Sequence, residues 1–190
     1  MFIYPHTYRK LKRGPQVILP KDIGIIIAYA GIDKKSVCVD AGTGSGWLAV
    51  SMARIAKEVY SYDIRSDFLA IAQKNKDILQ LDNLFLKNGD VKKKIDEKDV
   101  DVVTLDMPES EKALKNVMKA LHAGGRVVSY IPHTEQVKKY VQTLEKMKFI
   151  DVHIVEVMLR EMMVREEGTR PSTKGIWHTA YLVFAMKPVT

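Results

Sequence analysis

A glycine-rich turn between an apolar strand and an apolar helix is the feature that most limits what this chain can fold into. The turn runs from Asp40 to Gly46 (DAGTGSG), after the β-branched run 36–39 and before a helical pattern that starts at Trp47. A strand, a glycine turn and a helix in this order are typical of a nucleotide-type cofactor site. Glycines give such a turn conformational freedom and let a ligand lie against bare backbone.

The spacing of the glycines distinguishes two kinds of cofactor. Dinucleotide folds use G-x-G-x-x-G and leave a helix N-terminus free for a pyrophosphate. Here the pattern is G-x-G-x-G, and the bulky Trp47 takes the place of the last glycine. Asp40 would repel a diphosphate but would attract the ammonium group of a methionine moiety. The loop therefore predicts S-adenosylmethionine (SAM), with an ordinary strand-to-helix turn as the alternative.

Strand and helix patterns alternate along most of the chain. Pro15 and Pro20 are predicted to bracket a short extended segment, residues 16–19. Asp22 is predicted to cap a first helix that ends at Gly31. The predicted strands that follow are 36–40, 58–63, 83–88, 100–106 and 125–131, and the helices are 45–56, 66–79, 109–121 and 134–147. Residues 150–160 and 178–187 are predicted to be two antiparallel strands joined by a polar stretch. The result is an α/β, Rossmann-like fold with a seven-stranded, mostly parallel sheet and helices on both faces.

Length and composition bound the class of protein. With 190 residues the chain fits one domain, which we place at residues 21–190, preceded by a basic arm and cofactor-covering loop at residues 1–20. No apolar run approaches the roughly 20 residues that a membrane span needs, and no signal core precedes the domain, so a cytoplasmic location is expected. The single cysteine, Cys38, and the unpatterned histidines predict no metal site.

The net charge of +7 indicates a polyanionic partner. Basic residues are dense in segments 9–13 and 92–94, and both segments are expected near the cofactor end of the sheet. These clusters favour RNA or DNA as the partner; a solvated, lysine-rich surface is the alternative.

Aspartates close four successive predicted strands. They are Asp40, Asp63, Asp90 and Asp106. Because ligands of doubly wound sheets bind outside the carboxyl ends of the strands, we expect all four at one site. Asp63 suits the hydroxyls of a ribose, and Asp90 suits an adenine amino group, with Val91 packed near the ring.

Asp106 is the predicted catalytic group. Methyl transfer from a sulfonium is an in-line displacement that depends mainly on alignment of the reactants. If adenine N1 is the nucleophile, a carboxylate at the exocyclic amino group would stabilise the developing positive charge and could accept its proton. Pro108 would hold Asp106 in place. Glu109 stands where enzymes that methylate an exocyclic amine usually carry an aromatic residue, which argues against that chemistry.

Four segments together resemble the tRNA (adenine-58-N1)-methyltransferase family, in its archaeal and bacterial branch. They are residues 12–22 (KRGPQVILPKD), the loop 40–46, residues 105–109 (LDMPE), and a tail with Arg170-Pro171 and residues 178–185 (HTAYLVFA). The resemblance covers nearly the whole chain. It implies a class I SAM-dependent methyltransferase fold, a tRNA T-loop adenine as substrate, and a homotetramer.

The resemblance also implies roles for individual residues. It places Ser45 to Leu48, Phe68 and Gln16 at the cofactor, together with the aspartates above and the loop glycines. The implied cofactor set is Gln16, Asp40, Gly42, Gly44, Ser45, Gly46, Trp47, Leu48, Asp63, Phe68, Asp90, Val91 and Asp106. The predicted substrate set is Leu19, Pro108, Glu109, Arg170, His178 and Thr179; a structural role at the start of the last strand is the alternative for His178 and Thr179.

Three departures from the family pattern keep other activities open. The family begins with a small β domain where this chain has about a dozen residues. Leu19 stands where relatives often have Tyr or His, and Ser110-Glu111 replaces a common Pro-Trp. The alternatives are a methyltransferase for another RNA atom or a small molecule, and a non-catalytic RNA-binding subunit with the same fold. The intact glycine loop argues against the non-catalytic reading.

Overall fold

The structure is a computed structural model that describes residues 4–14 and 16–189. The prediction that Pro15 begins an extended segment falls outside this part of the chain. The segment itself, residues 16–19, has no helix or strand and leads directly into a helix.

A seven-stranded sheet forms the centre of the fold. Its strands are β1 (Val37–Ala41), β2 (Glu58–Asp63), β3 (Leu84–Asn88), β4 (Val100–Leu105), β5 (Leu121–Ile131), β6 (Ile150–Glu156) and β9 (Tyr181–Met186). They lie in the order β3-β2-β1-β4-β5-β9-β6. The first five strands in this order are parallel, and β9 is antiparallel to both β5 and β6. The predicted fold class is confirmed.

Helices flank the sheet and build a separate apolar core on each face. They are α1 (His6–Lys10), α2 (Pro20–Ala30), α3 (Trp47–Ala53), α4 (Ser66–Leu79), a 3₁₀ turn (Ser110–Ala113), α5 (Leu114–Ala120) and α6 (Thr134–Lys146). One core contains Ile26 of α2 and Met52 of α3. The other contains Leu114 of α5 and Tyr140 of α6. Because both faces of the sheet are covered, the inner strand β1 is buried from Cys38 to Ala41.

The start of α2 differs from the prediction. The helix begins at Pro20, whose fixed φ suits a first helical position, and Leu19 is the N-cap residue. Asp22 therefore lies inside the first turn and does not cap the helix. Its side chain is fully buried in an ion pair with Lys21, 2.8 Å long.

A second, two-stranded sheet was not predicted. The predicted strand 150–160 ends at Glu156, and β7 (Leu159–Arg165) then pairs antiparallel with β8 (Gly168–Ile176). The polar stretch predicted as a connection therefore forms the turn and most of β8. This hairpin is largely exposed along both strands.

The N-terminal arm packs on the sheet domain through α3 and α4. Asn75 of α4 is fully buried; it accepts a hydrogen bond from Lys12 N at 2.6 Å and donates to Lys12 O at 2.8 Å and Ser45 O at 2.7 Å. Trp47 Nε1 also donates to Lys12 O, at 3.0 Å. The arm is thus fixed to the glycine loop through Asn75. No helix in the described ranges is long and apolar enough to cross a membrane.

Candidate functional site: the glycine loop and the rim of the sheet

The glycine loop and the end of β4 approach each other so closely that only glycine fits between them. Gly42 has a φ of +89°, and a Cβ built there would lie 1.9 Å from the carbonyl oxygen of Asp106. Asp106 N donates to Ala41 O at 2.8 Å, which fixes this approach. Gly42 is therefore needed for two reasons: a side chain there would overlap the backbone of Asp106, and its positive φ favours glycine.

A cleft lies between the glycine loop, Asp106 and the covering segment, which we define as residues 16–18. Its lining residues are Gln16, Val17, Ile18, Asp40, Gly42, Thr43, Gly44, Ser45, Trp47, Leu48 and Asp106. Its empty volume is about 280 Å³, including space open to solvent. Within the covering segment Ile18 is buried, whereas Gln16 is exposed. Eight of the predicted cofactor residues line this one cleft.

Ser45 gives an independent sign that the cleft receives a polar group. Its hydroxyl is buried, yet it has no hydrogen-bond partner among residues 4–14 and 16–189. Buried hydroxyls in folded proteins normally have a partner. A ligand with polar atoms, such as SAM, fits both this hydroxyl and the side-chain-free surface of the loop.

Asp40 lies deeper than the prediction implied. It is 2% exposed, and its carboxylate accepts hydrogen bonds from Ser61 Oγ at 2.6 Å and Thr104 Oγ1 at 2.7 Å. Ser61 and Thr104 are its direct neighbours on β2 and β4. Burial raises the pKa of Asp40, while the two hydroxyls oppose that rise. Thr43 Oγ1 lies 2.7 Å from Ser61 Oγ, so this polar row also anchors the glycine loop.

Asp63 contacts the glycine loop directly. Its Oδ2 accepts from Gly44 N at 2.9 Å and its Oδ1 from Arg65 N at 2.9 Å. Phe68 is the third residue of α4, and the guanidinium of Arg65 lies 3.7 Å above its ring. These residues are next to the cleft but are not part of its lining, so their predicted contacts with a ribose and a base stay predictions.

Asp90 and Val91 occupy the turn after β3. Asp90 Oδ1 accepts a hydrogen bond from Lys92 N at 2.9 Å, which is an ordinary turn contact. Val91 is 2% exposed and packs in the core beside α5. Gly46 is likewise outside the lining and packs against Ala72 of α4, 3.0 Å from where a Cβ would lie. The ligand contacts predicted for these three residues stay predictions.

Asp106 is the ionisable group with the most unusual surroundings in the cleft. Burial, and then the charges of Asp40 and Asp63, raise the pKa of Asp106 to about 7. Within the described part of the chain, no hydrogen bond reaches its carboxylate. A half-buried carboxylate with a pKa near neutrality is suited to accept a proton from a bound substrate.

Sequence reasoning missed Tyr130, which lies near the carboxyl end of β5. Burial raises the pKa of Tyr130 to about 12, and the charges of Asp22 and Asp106 contribute. Tyr130 therefore keeps its phenolic proton and can donate a hydrogen bond near the cleft. One feature of the sequence could have pointed to Tyr130: it lies two residues before Pro132, near the end of a predicted strand, as the aspartates do.

Comparison with known proteins identifies the family. The model of the family described as "tRNA methyltransferase complex GCD14 subunit" matches residues 7–173. The chain belongs to this family. It is 40% identical to the tRNA (adenine(57)-N(1)/adenine(58)-N(1))-methyltransferase TrmI of Methanocaldococcus jannaschii, over 95% of this chain and 74% of that protein.

Solved structures agree with the GCD14 assignment. The tRNA (m1A58) methyltransferase TrmI of Aquifex aeolicus superposes with a TM-score of 0.89 at 31% identity, covering 95% of this chain and 74% of that one. A protein of Thermotoga maritima described as a SAM-dependent O-methyltransferase superposes with a TM-score of 0.92 at 30% identity, covering 98% and 72%. The resemblance found in the sequence is confirmed, and the chain is a methyltransferase of this family.

The residues predicted to bind substrate lie at different places in this GCD14-family chain. Pro108 and Glu109 are exposed just beyond Asp106, and Leu19 is half-buried at the start of α2. Arg170 lies on β8 of the hairpin and is not part of the cleft lining. These placements leave the predicted substrate contacts untested.

His178 and Thr179 lie between β8 and β9 and have protein partners. His178 Nδ1 is 2.6 Å from Glu156 Oε1, and its Nε2 is 2.9 Å from Pro132 O. The carboxylate and then the carbonyl raise the pKa of this exposed histidine. Thr179 Oγ1 donates to Asp22 Oδ2 at 2.9 Å.

Within the described ranges, no group of His, Cys, Asp and Glu could hold a metal ion.

Proposed function

We propose that this chain is a cytoplasmic enzyme that uses SAM to methylate N1 of an adenine, at T-loop position 58, in tRNA. The observation that carries the proposal is the Asp106 carboxylate, which lies in the glycine-loop cleft with a pKa near 7. The printed names of the relatives in M. jannaschii and A. aeolicus support the choice of adenine N1.

The cleft offers the groups that SAM would need. The backbone of Gly42 and Gly44 leaves room for the cofactor, and the Ser45 hydroxyl can bond to it. Asp63, beside Gly44, can accept hydrogen bonds from ribose hydroxyls after a small rearrangement. When bound, SAM would supply an electrophilic methyl group on a sulfonium.

The proposed reaction needs one displacement and one proton transfer. The lone pair of adenine N1 forms a bond to the methyl carbon while the carbon–sulfur bond breaks, so the sulfonium becomes a neutral sulfide. The adenine ring becomes cationic. Asp106, as a carboxylate, would stabilise this cation at the exocyclic amino group and can accept its proton. In a duplex or a folded loop the adenine would have to be flipped out of its stack to reach the cleft.

Exposed basic residues in the arm and after β3 support RNA binding. Lys12 and Arg13 are exposed beside the covering segment, and Lys93 and Lys94 are exposed after β3. Such cations bind the RNA backbone by releasing counterions, so affinity should fall steeply with salt.

The hairpin of β7 and β8 supports assembly into a homo-oligomer, which we take to be a tetramer from the family resemblance. Its apolar residues are unusually exposed: Met162 is 57% exposed and Val164 is 79% exposed. Exposed apolar patches commonly mark protein interfaces.

The decisive experiment is incubation of the protein with unmodified tRNA and labelled SAM, followed by nucleoside analysis by mass spectrometry. We expect 1-methyladenosine with the parent chain and a loss of more than about 100-fold with Asp106→Asn. Asp82→Asn is the matched control, because Asp82 is exposed and is not part of the cleft lining; this variant should retain turnover. Normal turnover by Asp106→Asn would remove Asp106 from the mechanism.

A second candidate is transfer to another atom of RNA or to a small molecule. The observation that favours it is the close superposition with the protein described as a SAM-dependent O-methyltransferase. Nucleoside analysis separates the two functions. A 2′-O-methylated nucleoside, or no labelled nucleoside at all despite SAM turnover, would replace the adenine-N1 proposal with this one.

A further inference from the structure

A buried polar cluster lies beside the cleft and contains Lys21, Asp22 and Thr179. Lys21 Nζ donates to Asp22 Oδ1 at 2.8 Å, to Thr179 Oγ1 at 2.7 Å and to the carbonyl oxygen of Val157 at 2.6 Å. Thr179 Oγ1 donates in turn to Asp22 Oδ2. The side chains of Lys21 and Asp22 are 4% and 0% exposed. All three protons of the ammonium group therefore have acceptors.

The cluster joins three parts of the chain that are distant in sequence. Lys21 and Asp22 form the first turn of α2, which directly follows the covering segment and Leu19. Val157 precedes β7 and Thr179 follows β8, so these two residues lie at the two feet of the hairpin. Tyr130 lies close enough to Thr179, Asp22 and Asp106 for all three to affect the pKa of its phenol. The cluster thus connects the covering segment, the hairpin and the rim of the site.

Stability alone does not explain the cluster. Desolvation of two charges offsets most of their attraction, and well-packed apolar residues in the same place are often equally stable. What the ion pair adds is a fixed geometry, because each of its hydrogen bonds sets the position of one segment relative to another. The segment held most directly is the one that covers the cleft.

We infer that Lys21, Asp22 and Thr179 are positioning residues that hold the covering segment closed over the cofactor. The inference rests on the proposed use of SAM. Because the same ammonium group binds both feet of the hairpin, a change in the packing of the hairpin alters the covering segment, and cofactor binding acts back on the hairpin. These residues need not contact the cofactor themselves.

Calorimetry with S-adenosylhomocysteine, the demethylated product, tests the inference on the full chain without tRNA. Thr179→Val removes one donor and one acceptor from the cluster and should weaken binding by about 10-fold. Thr179→Ser keeps the hydroxyl and should bind within about two-fold of the parent chain. Thr143→Val is the matched control, because Thr143 Oγ1 bonds only to the carbonyl of Lys139 within its own helix α6.

A double variant keeps the test valid if single changes fail to fold. Lys21→Met with Asp22→Leu removes both charges together, so it should melt at or above the parent temperature. We expect it nevertheless to lose about 10-fold or more in affinity for S-adenosylhomocysteine. If the cluster only stabilised the fold, a double variant that melts at or above the parent temperature would bind S-adenosylhomocysteine with parental affinity.

The outcomes separate this inference from the proposed function. Parental affinity in both Thr179→Val and the folded double variant would overturn the positioning role and leave the SAM proposal intact. No heat with the well-folded parent chain would overturn both. Rescue of affinity by Thr179→Ser, with loss in Thr179→Val, supports the positioning role.

Discussion

The surroundings of Asp106 disfavour the ionised form of its carboxyl group near neutral pH. Its pKa of about 7 arises from burial and from the nearby carboxylates of Asp40 and Asp63. A reaction that needs the carboxylate form should therefore slow in mild acid. Among the acidic groups of the cleft, Asp106 is also the one placed where the cofactor loop and the exposed Pro108–Glu109 segment meet.

The first prediction concerns the pH profile of the reaction. We expect kcat/KM for SAM to rise as pH increases from 6 to 8 and to level off above a pH of about 7, because this ratio reports ionisations of the free enzyme. Initial rates over this range, with SAM and tRNA both well below their KM values and in buffers of constant ionic strength, measure it. A flat profile between pH 6 and 8 would contradict a role for ionised Asp106.

The second prediction concerns stability. The folded-state pKa of Asp106 lies above the ordinary value of 3.8, so its contribution to stability is complete below that value and is lost as pH rises through about 7. Asp106→Asn removes this loss and should gain roughly 1–3 kcal/mol at pH 8 but less at pH 5. Urea unfolding at both pH values measures the difference. Equal or lower stability of the variant at pH 8 would show that the carboxylate is not strained.

The third prediction uses two glycines in different surroundings. Gly42→Ala should destabilise the fold by more than about 2 kcal/mol and abolish SAM binding, because its Cβ would overlap the Asp106 backbone. Gly24→Ala is the matched control: it lies inside α2 with no atom within 4 Å of the added methyl, and should gain about 0.5–1 kcal/mol. Thermal melts and calorimetry give both readouts. A Gly42→Ala chain that binds SAM normally would refute the steric argument.

The site residues were predicted from their positions at the ends of predicted strands, so residues inside strands and helices were missed. Asp106 and the loop glycines follow from motif order alone, and the structure brings them to one cleft. Tyr130 and Asn75 gave no such signal, since one lies inside a strand and the other inside a helix. Asp22 was assigned to a helix cap because Pro20 was taken as the end of an extended segment, when it is the first residue of the helix.

At the scale of elements, the arm and the glycine loop are joined by the side chain of Asn75. Because its amide is fully buried and bonded to both Lys12 and Ser45, it transmits the position of one segment to the other. The aromatic rings of Tyr4 and Tyr8 complete the contact by packing on Trp47, with ring centroids 5.8 Å and 5.3 Å away.

The fourth prediction tests this connection. Asn75→Ala should cost about 2–3 kcal/mol of stability, since Lys12 N and the buried Ser45 O each lose their bond to the amide, whereas Lys12 O keeps its bond from Trp47 Nε1. It should also release the arm, which a Trp177→Phe background makes visible as a change in Trp47 fluorescence. Gln73→Ala on the exposed face of α4 is the control and should leave the spectrum unchanged. A parental spectrum in Asn75→Ala would mean that other contacts hold the arm.

Elements were predictable where burial imposed a pattern and unpredictable where it did not. The inner parallel strands carry apolar runs because both faces of the sheet are covered, so these strands could be predicted from the sequence. Their alternation with helices predicted that they run parallel. The hairpin of β7 and β8 is exposed on most of its length, and its polar residues carry no inside–outside pattern. Its pairing depends on backbone hydrogen bonds that composition does not reveal.

At the scale of the whole molecule, two surfaces differ in chemistry: one is basic, in keeping with the net charge of +7, and the other is the apolar surface of the hairpin. The basic residues near the arm suit an RNA backbone, whereas the apolar side chains of the hairpin suit another protein surface. The buried Lys21 cluster is bonded to Val157 and Thr179 at the feet of the hairpin, so it is the hairpin surface that is connected directly to the covering segment.

The fifth prediction is that the hairpin holds the oligomer together. Met162 and Val164 share one face of β7 and are both exposed, so the double change to Lys should place two charges in the subunit contact and reduce the mass measured by light scattering. Ile55→Lys with Ile78→Lys is the matched control, because these residues are 42% and 41% exposed and lie after α3 and in α4, outside the hairpin. The mass of this variant should equal that of the parent. If the hairpin also acts through Lys21 on the covering segment, the dissociated variant should bind S-adenosylhomocysteine more weakly than the control. An unchanged mass for the Met162 and Val164 variant, with a parent chain that is oligomeric, would assign the contact to another surface.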